Sequence, residues 1–280
     1  MTIKFALFEN TCDSRILVTT RISTVAKSCC SPDRGTVYEL RPLSEADSMC
    51  LFFRRIFGSE DLCPVNLKDV STEIIKKCGG LPLAIITMAS LLADKSDRRE
   101  EWVCIRNSIG SGLEKKYDLE VMRSILSLSF RDLPLHLKTC LLYLSIYPED
   151  YKINMHQLVR RWIAEGFIKD KSGRNLMVEG KCYFNELINR SMIQPVDIGI
   201  DGQPKACRVH DMILDLIVSK AVDENFSTSI GDETHRLASQ AKIRRLSVDY
   251  SGQEVSVSWP SLKLAQVRSL SIFRYSEQKP

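Results

Sequence analysis

The feature that most constrains the fold is a series of helical patterns followed by a hairpin between residues 119 and 222. Apolar residues recur at steps of three and four over Val121–Phe130, Leu135–Leu144, His156–Gly166 and Val178–Ser191. The segment MIQPVDI, a turn at Asp201-Gly202 and a short strand at Ala206–Val209 predict a β-hairpin, in which Pro195 favours an exposed edge. Three helices followed by a two-stranded hairpin, as in the last three of these patterns and the hairpin after them, are the order of a winged helix.

Winged helices commonly bind DNA, which makes a DNA-binding regulator the alternative function for this chain. The helix predicted at Val178–Ser191 takes the place of a recognition helix, but the charges of Glu179, Lys181, Glu186 and Arg190 nearly cancel. The net charge of +4 is mild, and the paired basic residues are scattered among acids. The charge pattern therefore favours a solvated surface over a nucleic-acid footprint.

The composition is that of a globular protein without a membrane span. The chain has 280 residues, of which 44% are hydrophobic and 26% charged, enough for two or three domains. Its longest apolar segment, Leu81 to Ala93, is too short to cross a membrane, and MTIKFALFEN is too short for a signal peptide. The ten cysteines form no C-x-x-C, and Cys50, Cys78 and Cys140 lie in helical apolar patterns where free thiols pack. We expect a cytoplasmic protein.

The N-terminal residues have the pattern of an α/β unit. Ser14–Thr20 is a β-rich run, Ser23 is positioned to cap a helix that extends through Ser28, and Thr36–Leu40 predicts a second strand. One crossover cannot close the core of a parallel sheet, because buried parallel strands need neighbours on both sides. The other strands of this sheet are expected upstream of the chain.

A small helical bundle is predicted next, from residue 41 to residue 118. Ser44 and Asp47 have the spacing of a capping box before MCLFFRRIF. A helix at Val70–Cys78 is expected to stop at Gly79-Gly80, and Leu81-Pro82 to start the following helix, since proline is tolerated in a first turn.

A short repeat closes the chain. The segment IRRLSVDY at 243–250 recurs as VRSLSIFRY at 267–275, which aligns Leu246 with Leu270 at an offset of 24 residues. This offset is in the range of leucine-rich repeats, whose units each add a strand to a shared core. An array needs about three units, so the chain is expected to stop just inside one.

The stretch VHDMILDLI contains an adjacent histidine and aspartate, His210 and Asp211. The apolar period that follows predicts a helix N-terminus at Asp211, where unpaired amides and the helix dipole favour an anion near the histidine. A hydrolytic or metal site is not expected, because a third group is needed and the other histidines, His136, His156 and His235, have no H-x-x-x-H partner. The residues by themselves leave a helix start and a ligand contact open.

Four segments in this order resemble the plant disease-resistance NLR proteins, which contain an NB-ARC nucleotide switch. The family's motifs are similar to SRILVTTR at 14–21, CGGLPLAI at 78–85, CLLYLSIYPEDYKI at 140–153 with LVRRWIAEGFI at 158–168, and VHD at 209–211. In the last of these Val209 replaces a methionine. The form CLLYLSIYPED is typical of the coiled-coil class of the family.

The resemblance implies a fold that is mainly α with minor α/β. Its parts would be a remnant of a P-loop-type nucleotide-binding domain (1–40), the ARC helical bundle (41–118), the winged helix (119–222), a linker (223–235) and the start of a leucine-rich-repeat solenoid (236–280). The implied function is that of a non-enzymatic ADP/ATP-dependent switch in an innate-immune receptor for defence against pathogens.

The resemblance also implies three nucleotide-binding residues. His210 matches a histidine that reaches the phosphates of ADP, Pro82 a proline that packs on the adenine ring, and Arg21 an arginine that senses the terminal phosphate. Asp211 is expected to cap and orient the helix that follows.

The sequence departs from the family by lacking the phosphate-binding loop G-x-x-x-x-G-K-[ST]. Gly180-Lys181 fails at both ends, with Asn175 in place of the first glycine and Cys182 in place of the hydroxyl. The Asp-Asp element that holds magnesium is absent too. We therefore expect an interior piece of an NLR, truncated at the N-terminus and unable to bind nucleotide well alone.

The implied partners follow from the same resemblance. They are the missing N-terminal half or other NLR protomers, and a pathogen effector or host guard protein that contacts the leucine-rich repeats. Nucleic acid is not expected as a partner, and no transmembrane segment is expected.

Overall fold

The computed structural model describes residues 17–20, 22–30, 35–95, 98–109, 118–169, 175–230, 244–250 and 264–274. Its internal contacts divide the chain into two units, Met1–Pro42 and Leu43–Pro280. None of the helices in the described ranges is long and apolar enough to cross a membrane.

The first unit contains one described helix, α1 at Ser23–Cys29, which confirms the predicted helix. Its N-cap is Ile22, so the prediction that Ser23 caps the helix is wrong. The strand predicted at Thr36–Leu40 is also wrong, and residues 17–20 form no strand either. A strand exists only through hydrogen bonds to neighbouring strands, and the apolar side chains of Leu17 and Tyr38 are 91% and 83% exposed.

The second unit begins with a four-helix bundle. Its helices are α2 at Glu45–Phe57, α3 at Val65–Lys77, α4 at Pro82–Ala93 and α5 at Arg99–Ser108. The capping box is confirmed, because Ser44 Oγ accepts from Asp47 N at 3.1 Å and donates to the Asp47 carboxylate at 2.6 Å. Gly79 and Gly80 end α3 with φ of 61° and 71°, and Pro82 is the first residue of α4, both as predicted.

An aromatic cluster fills the core of the bundle. Phe52 and Trp102 are fully buried and meet edge to face, with ring centroids 6.1 Å apart. Trp102 Nε1 donates to the Lys95 carbonyl at 2.8 Å, which satisfies its only polar atom. Cys78 is buried as predicted, whereas Cys50 is exposed because it lies on the outer face of α2.

The bundle is followed by the predicted winged helix. Its elements are α6 at Asp118–Asp132, α7 at Leu135–Leu142, β1 at Ile153–Asn154, α8 at Met155–Ala164, α9 at Leu176–Asn189, β2 at Gln194–Ile198, β3 at Pro204–Arg208 and α10 at Asp211–Asp223. The helix predicted to reach Leu144 ends at Leu142, because the chain tightens into a 3-10 turn at Tyr143–Ile146. The other helices lie within a few residues of their predicted bounds.

The sheet of the winged helix is antiparallel with the order β1-β3-β2. Ile153 and Pro195 both pair with Cys207, from opposite sides of β3. Strand β2 is therefore an edge strand, which confirms the expectation based on Pro195. Strand β1 was not predicted, because two residues are too few to show a period.

Three parallel strands follow: β4 at Thr228–Ile230, β5 at Arg245–Tyr250 and β6 at Ser269–Arg274, in the order β4-β5-β6. Leu246 pairs with Leu270, so the strand register equals the offset of 24 residues (246 to 270) between the two sequence copies. Strand β4 lies inside the segment predicted as a linker.

The parallel sheet packs against the winged helix through buried polar and aromatic contacts. Ser247 Oγ donates to the Ile146 carbonyl at 2.6 Å, and Arg245 Nε contacts Glu165 Oε2 at 2.8 Å. Phe273 contacts the rings of Tyr147 and Tyr151, with centroids 5.3 and 5.2 Å away. These contacts fix the sheet on the 3-10 turn and on the C-terminal end of α8.

Candidate functional site

The candidate site lies where β3 leads into α10. His210 is the N-cap of α10, with φ −69° and ψ 139°, and its Nδ1 accepts a hydrogen bond from Met212 N at 3.2 Å. The prediction that Asp211 caps this helix is therefore wrong. Asp211 is already the first helical residue, so its exposed carboxylate adds only a favourable charge at the positive end of the helix.

The capping bond also fixes the tautomer of the His210 ring. Because Nδ1 accepts a hydrogen bond from the backbone, the neutral imidazole carries its proton on Nε2. Nε2–H is then a donor on a half-buried ring beside the first-turn amides of α10. This arrangement is suited to an anion such as a phosphate oxygen.

Apolar packing holds the helix that presents His210. Val209, Ile213, Ile217 and Ala221 are at most 7% exposed, on the face that contacts α6, α7 and the 3-10 turn at Tyr143–Ile146. Val209 is buried, so it keeps the apolar packing expected of the methionine that it replaces. The histidine thus lies at the start of a helix that is packed into the core of the winged helix.

Changing His210 to alanine is expected to lower the free energy of unfolding by about 1 kcal/mol, because the helix loses its cap. Asp211→Ala is expected to have a smaller effect, since it removes only a charge–dipole interaction. Urea titrations followed by circular dichroism measure both. His156→Ala, which changes an exposed histidine in the first turn of α8, serves as the control. A larger loss for Asp211→Ala than for His210→Ala would contradict the assignment of the cap.

Of the other two predicted ligand residues, only Pro82 lies in the described part of the structure. Pro82 is exposed at the first position of α4, where its ring is available to a planar group. The loop before it is held by a hydrogen bond from Leu43 N to the Gly80 carbonyl at 2.9 Å. Arg21 lies outside the described residues.

Gly180 allows α9 to pack closely against α8. It is buried in α9, and a Cβ at this position would lie 2.6 Å from Ile168 Cδ1 and closer still to Val159 Cγ1. The glycine lets α9 approach α8 more closely than any other residue would allow. This explains the Gly180-Lys181 pair without a phosphate loop.

A cavity of about 220 Å³ lies at the other end of β3 from His210. It is lined by Asn154, Met155, His156, Lys181, Asn185, Asp201, Gln203, Pro204 and Lys205. It is smaller than the roughly 300–1,000 Å³ of common ligand pockets. None of its charged side chains is buried, so it lacks the desolvated charge that gives a specific site its affinity.

The buried cysteines are unreactive. Burial raises the pKa of the Cys78, Cys140 and Cys207 thiols to about 12, so all three stay protonated. Within the described ranges, no three side chains of His, Cys, Asp or Glu are grouped as a metal site requires.

Sequence reasoning missed a group of polar residues between the bundle and the winged helix. Arg55, Ser90 and Ser191 are joined by hydrogen bonds although they are up to 136 residues apart in the chain. No local pattern signals such contacts, since each residue alone has the character of an ordinary surface residue.

Comparison with known proteins defines the class. Residues 146–217 match the family described as "Disease resistance protein Winged helix domain", so this part of the chain is similar to the winged helices of that family. The match covers α8, α9, the three-stranded sheet, His210 and α10 as far as Ile217. The predicted winged helix is thereby confirmed.

Relatives of nearly the whole chain have related names. The chain is 39% identical over 274 residues to disease resistance protein Pik-2 of Oryza sativa subsp. japonica, covering 97% of the chain and 27% of that protein. It is 36% identical over 261 residues to disease resistance protein RGA5 of the same organism, covering 93% of the chain and 23% of RGA5. An RPP13-like disease resistance protein of Arabidopsis thaliana is 35% identical over 224 residues, 79% of the chain and 25% of that protein.

The homologues of the chain are thus plant disease resistance proteins. The chain spans about a quarter of the length of the curated relatives that it matches.

Proposed function

We propose that this chain is part of a plant NLR immune receptor of the coiled-coil class, in which the helical bundle and the winged helix form an ADP/ATP-dependent switch. In this proposal residues 41–118 are the ARC bundle and residues 119–222 the switching winged helix. Residues 1–40 are the remnant of the nucleotide-binding domain, and residues 236–280 begin the leucine-rich repeats. The observation that carries the proposal is the capping geometry of His210, inside the segment that matches the winged helices of disease resistance proteins.

The proposed contact with nucleotide follows from that geometry. His210 Nε2–H would donate to a phosphate oxygen of ADP, at the positive end of the α10 helix dipole. The exposed ring of Pro82 would pack on the adenine, and Arg21 would meet the terminal phosphate. A winged helix that contacts the phosphates this way is held in the closed state.

The phosphate-binding loop would have to come from elsewhere, because the 280 residues contain no G-x-x-x-x-G-K-[ST]. We propose that the first half of a nucleotide-binding domain, either joined to this chain or on another protomer, supplies the loop and the magnesium-holding carboxylates. The chain alone would then offer a hydrogen-bond donor to a phosphate but no phosphate-binding loop.

The 280-residue chain is therefore expected to bind ADP more weakly than a Kd of about 1 μM, which corresponds to about −8 kcal/mol. Isothermal calorimetry with ADP and magnesium at high protein concentration measures this. Submicromolar binding by the 280-residue chain would overturn the proposed division of the site.

The switch itself is tested by joining the chain to the N-terminal nucleotide-binding half of a relative and measuring the ADP that remains after purification. His210→Ala is expected to reduce ADP affinity about 10- to 100-fold, as the loss of a hydrogen bond to a charged group costs about 1.5–3 kcal/mol. Asp215→Ala, at an exposed position one turn later in α10, is the control and should retain ADP. Full ADP retention by a folded His210→Ala protein would refute the phosphate contact.

The alternative function, a DNA-binding winged helix, is disfavoured by the surroundings of α9. Arg190, at the end of α9, contacts Asp94 and Asp132, and Arg55 donates to the Asn189 carbonyl. The C-terminal end of the helix that would enter the major groove is therefore held against α2, α4 and α6. Duplex binding that weakens steeply with salt would restore this alternative.

We further propose a receptor without enzymatic chemistry that acts in the cytoplasm. Nine described cysteines are unpaired, which suits a reducing compartment. A pathogen effector or host guard protein would contact the leucine-rich repeats that the parallel strands begin. Other NLR protomers would be partners in the assembled state.

A further inference from the structure

Beside the apolar contact between α4 and α6, the winged helix is joined to the helical bundle by a polar network, here called the interface cluster. It consists of Arg55 on α2, Ser90, Asp94 and Lys95 at the end of α4, Asp132 at the end of α6, and Glu186, Arg190 and Ser191 at the end of α9. The cluster gathers the C-terminal ends of several helices at one place.

Arg190 is the central residue of the interface cluster. Its Nη2 contacts Asp94 at 3.3 Å, its Nη1 contacts Asp132 at 3.4 Å, and its Nε contacts Glu186 at 3.2 Å. Asp132 also accepts from Lys95 Nζ at 3.0 Å. A planar guanidinium can hold three carboxylates in fixed directions, which a lysine ammonium cannot do. One side chain of α9 is thereby tied to α4 and α6.

Hydrogen bonds to uncharged acceptors extend the cluster to α2. Arg55 Nη2 donates at 3.1 Å to the Asn189 carbonyl, which α9 leaves without an intrahelical partner. The hydroxyls of Ser90 and Ser191 are 2.8 Å apart, and Arg55 Nε donates to Ser90 at 3.4 Å. Ser191 has a φ of 57°, a left-handed conformation that is unfavourable for serine and that these bonds help to hold.

The ion pairs on the two sides of the winged helix differ in solvent exposure. The side chains of Asp94 and Asp132 are 69% and 31% exposed, whereas those of Glu165 and Arg245, facing the parallel sheet, are 12% and 11% exposed. Salt screens exposed charges strongly and buried pairs much less. Ionic strength should therefore weaken the bundle side and leave the sheet side intact.

We propose that the interface cluster is an ionic lock, centred on Arg190, that fixes the winged helix against the helical bundle. The lock deepens the proposed switch and rests on it only for its consequence, which is that releasing Arg190 lowers the free energy needed to separate the winged helix from the bundle. The lock itself is a property of the 280-residue chain and needs no nucleotide.

Hydrogen–deuterium exchange of the full 280-residue chain tests the lock. Arg190→Ala is expected to raise exchange at least tenfold in peptides that cover the ends of α4 and α9, and to leave β5 unchanged. Arg190→Lys should have an intermediate effect, because it keeps the positive charge but loses the planar guanidinium. Wild-type protein in about 1 M salt, where the Debye length is about 3 Å, should resemble Arg190→Ala. The control is Arg160→Ala, at an exposed position of α8.

Ser191→Ala is the second variant, since it breaks the hydroxyl pair without changing any charge. It should raise exchange at the same two helix ends, and less than Arg190→Ala does. Unchanged exchange at both helix ends in Arg190→Ala and Ser191→Ala would overturn the lock, and so would an equal rise throughout the chain, β5 included. Failure of the rebuilt receptor to retain ADP would refute the proposed switch while leaving this exchange pattern unaffected.

Discussion

Replacing Arg245 with methionine is expected to lower the free energy of unfolding by about 1.5–3 kcal/mol, because it leaves the largely buried Glu165 carboxylate without its partner. Arg245 Nε lies 2.8 Å from Glu165 Oε2, and the two side chains are only 11% and 12% exposed. The guanidinium also donates to the Phe226 carbonyl at 3.2 Å and stacks 4.3 Å from the centre of the Phe226 ring. All of these contacts join the parallel sheet to the winged helix, so the substitution should destabilise mainly this junction.

Urea titration measures this loss, and a double variant identifies its cause. Arg245→Met combined with Glu165→Leu should regain most of the stability, since an apolar pair of similar size removes the uncompensated charge. Arg244→Met, at an exposed neighbouring position, should change little. If the double variant were as unstable as Arg245→Met alone, packing and not the ion pair would be the source of the effect.

Gly180→Val is expected to destabilise the winged helix by about 1–3 kcal/mol or more, through overpacking. A Cβ at position 180 would lie 2.6 Å from Ile168 Cδ1 and even nearer to Val159 Cγ1, and both neighbours belong to the same core. The α8–α9 crossing would have to widen, which would disturb the elements that carry β3 and His210. Thermal unfolding followed by circular dichroism measures the loss.

Two further variants separate overpacking from helix propensity. Cys182→Val places the same side chain at an exposed position of α9 and should cost only a few tenths of a kcal/mol. Val159→Ala in the Gly180→Val background should recover part of the stability, because it removes the nearest clashing methyl groups. Equal effects of Gly180→Val and Cys182→Val would show that the crossing tolerates a side chain.

Features that depend on near neighbours in the chain could be predicted from the sequence. The Ser44–Asp47 cap, the stop at Gly79-Gly80 and the start at Pro82 each need only a few consecutive residues, and the structure has all three. The order of the winged helix followed from apolar periods, and the register of β5 and β6 followed from the repeat, since identical patterns align when strands pair.

Tertiary structure decided the features that need a distant partner. Thr36–Leu40 has a strand pattern but forms no strand, because the described residues offer it no neighbour to pair with. The two residues of β1 form a strand only because β3 lies beside them. Arg190 and Arg245 look alike in the sequence, and only their contacts show that one bridges exposed carboxylates and the other a buried one.

In the candidate site, the three residues of VHD show the same division between what the sequence determines and what the tertiary structure decides. The sequence VHD determined that a helix begins here, because its apolar period starts at this point and an acidic residue stands in the first turn. Which residue caps the helix depended on backbone geometry. His210 takes the extended conformation that turns its Nδ1 toward Met212 N, while Asp211 is already helical. A cap is set by the dihedral angles where the strand ends, and these follow from how β3 and α10 pack on the rest of the winged helix.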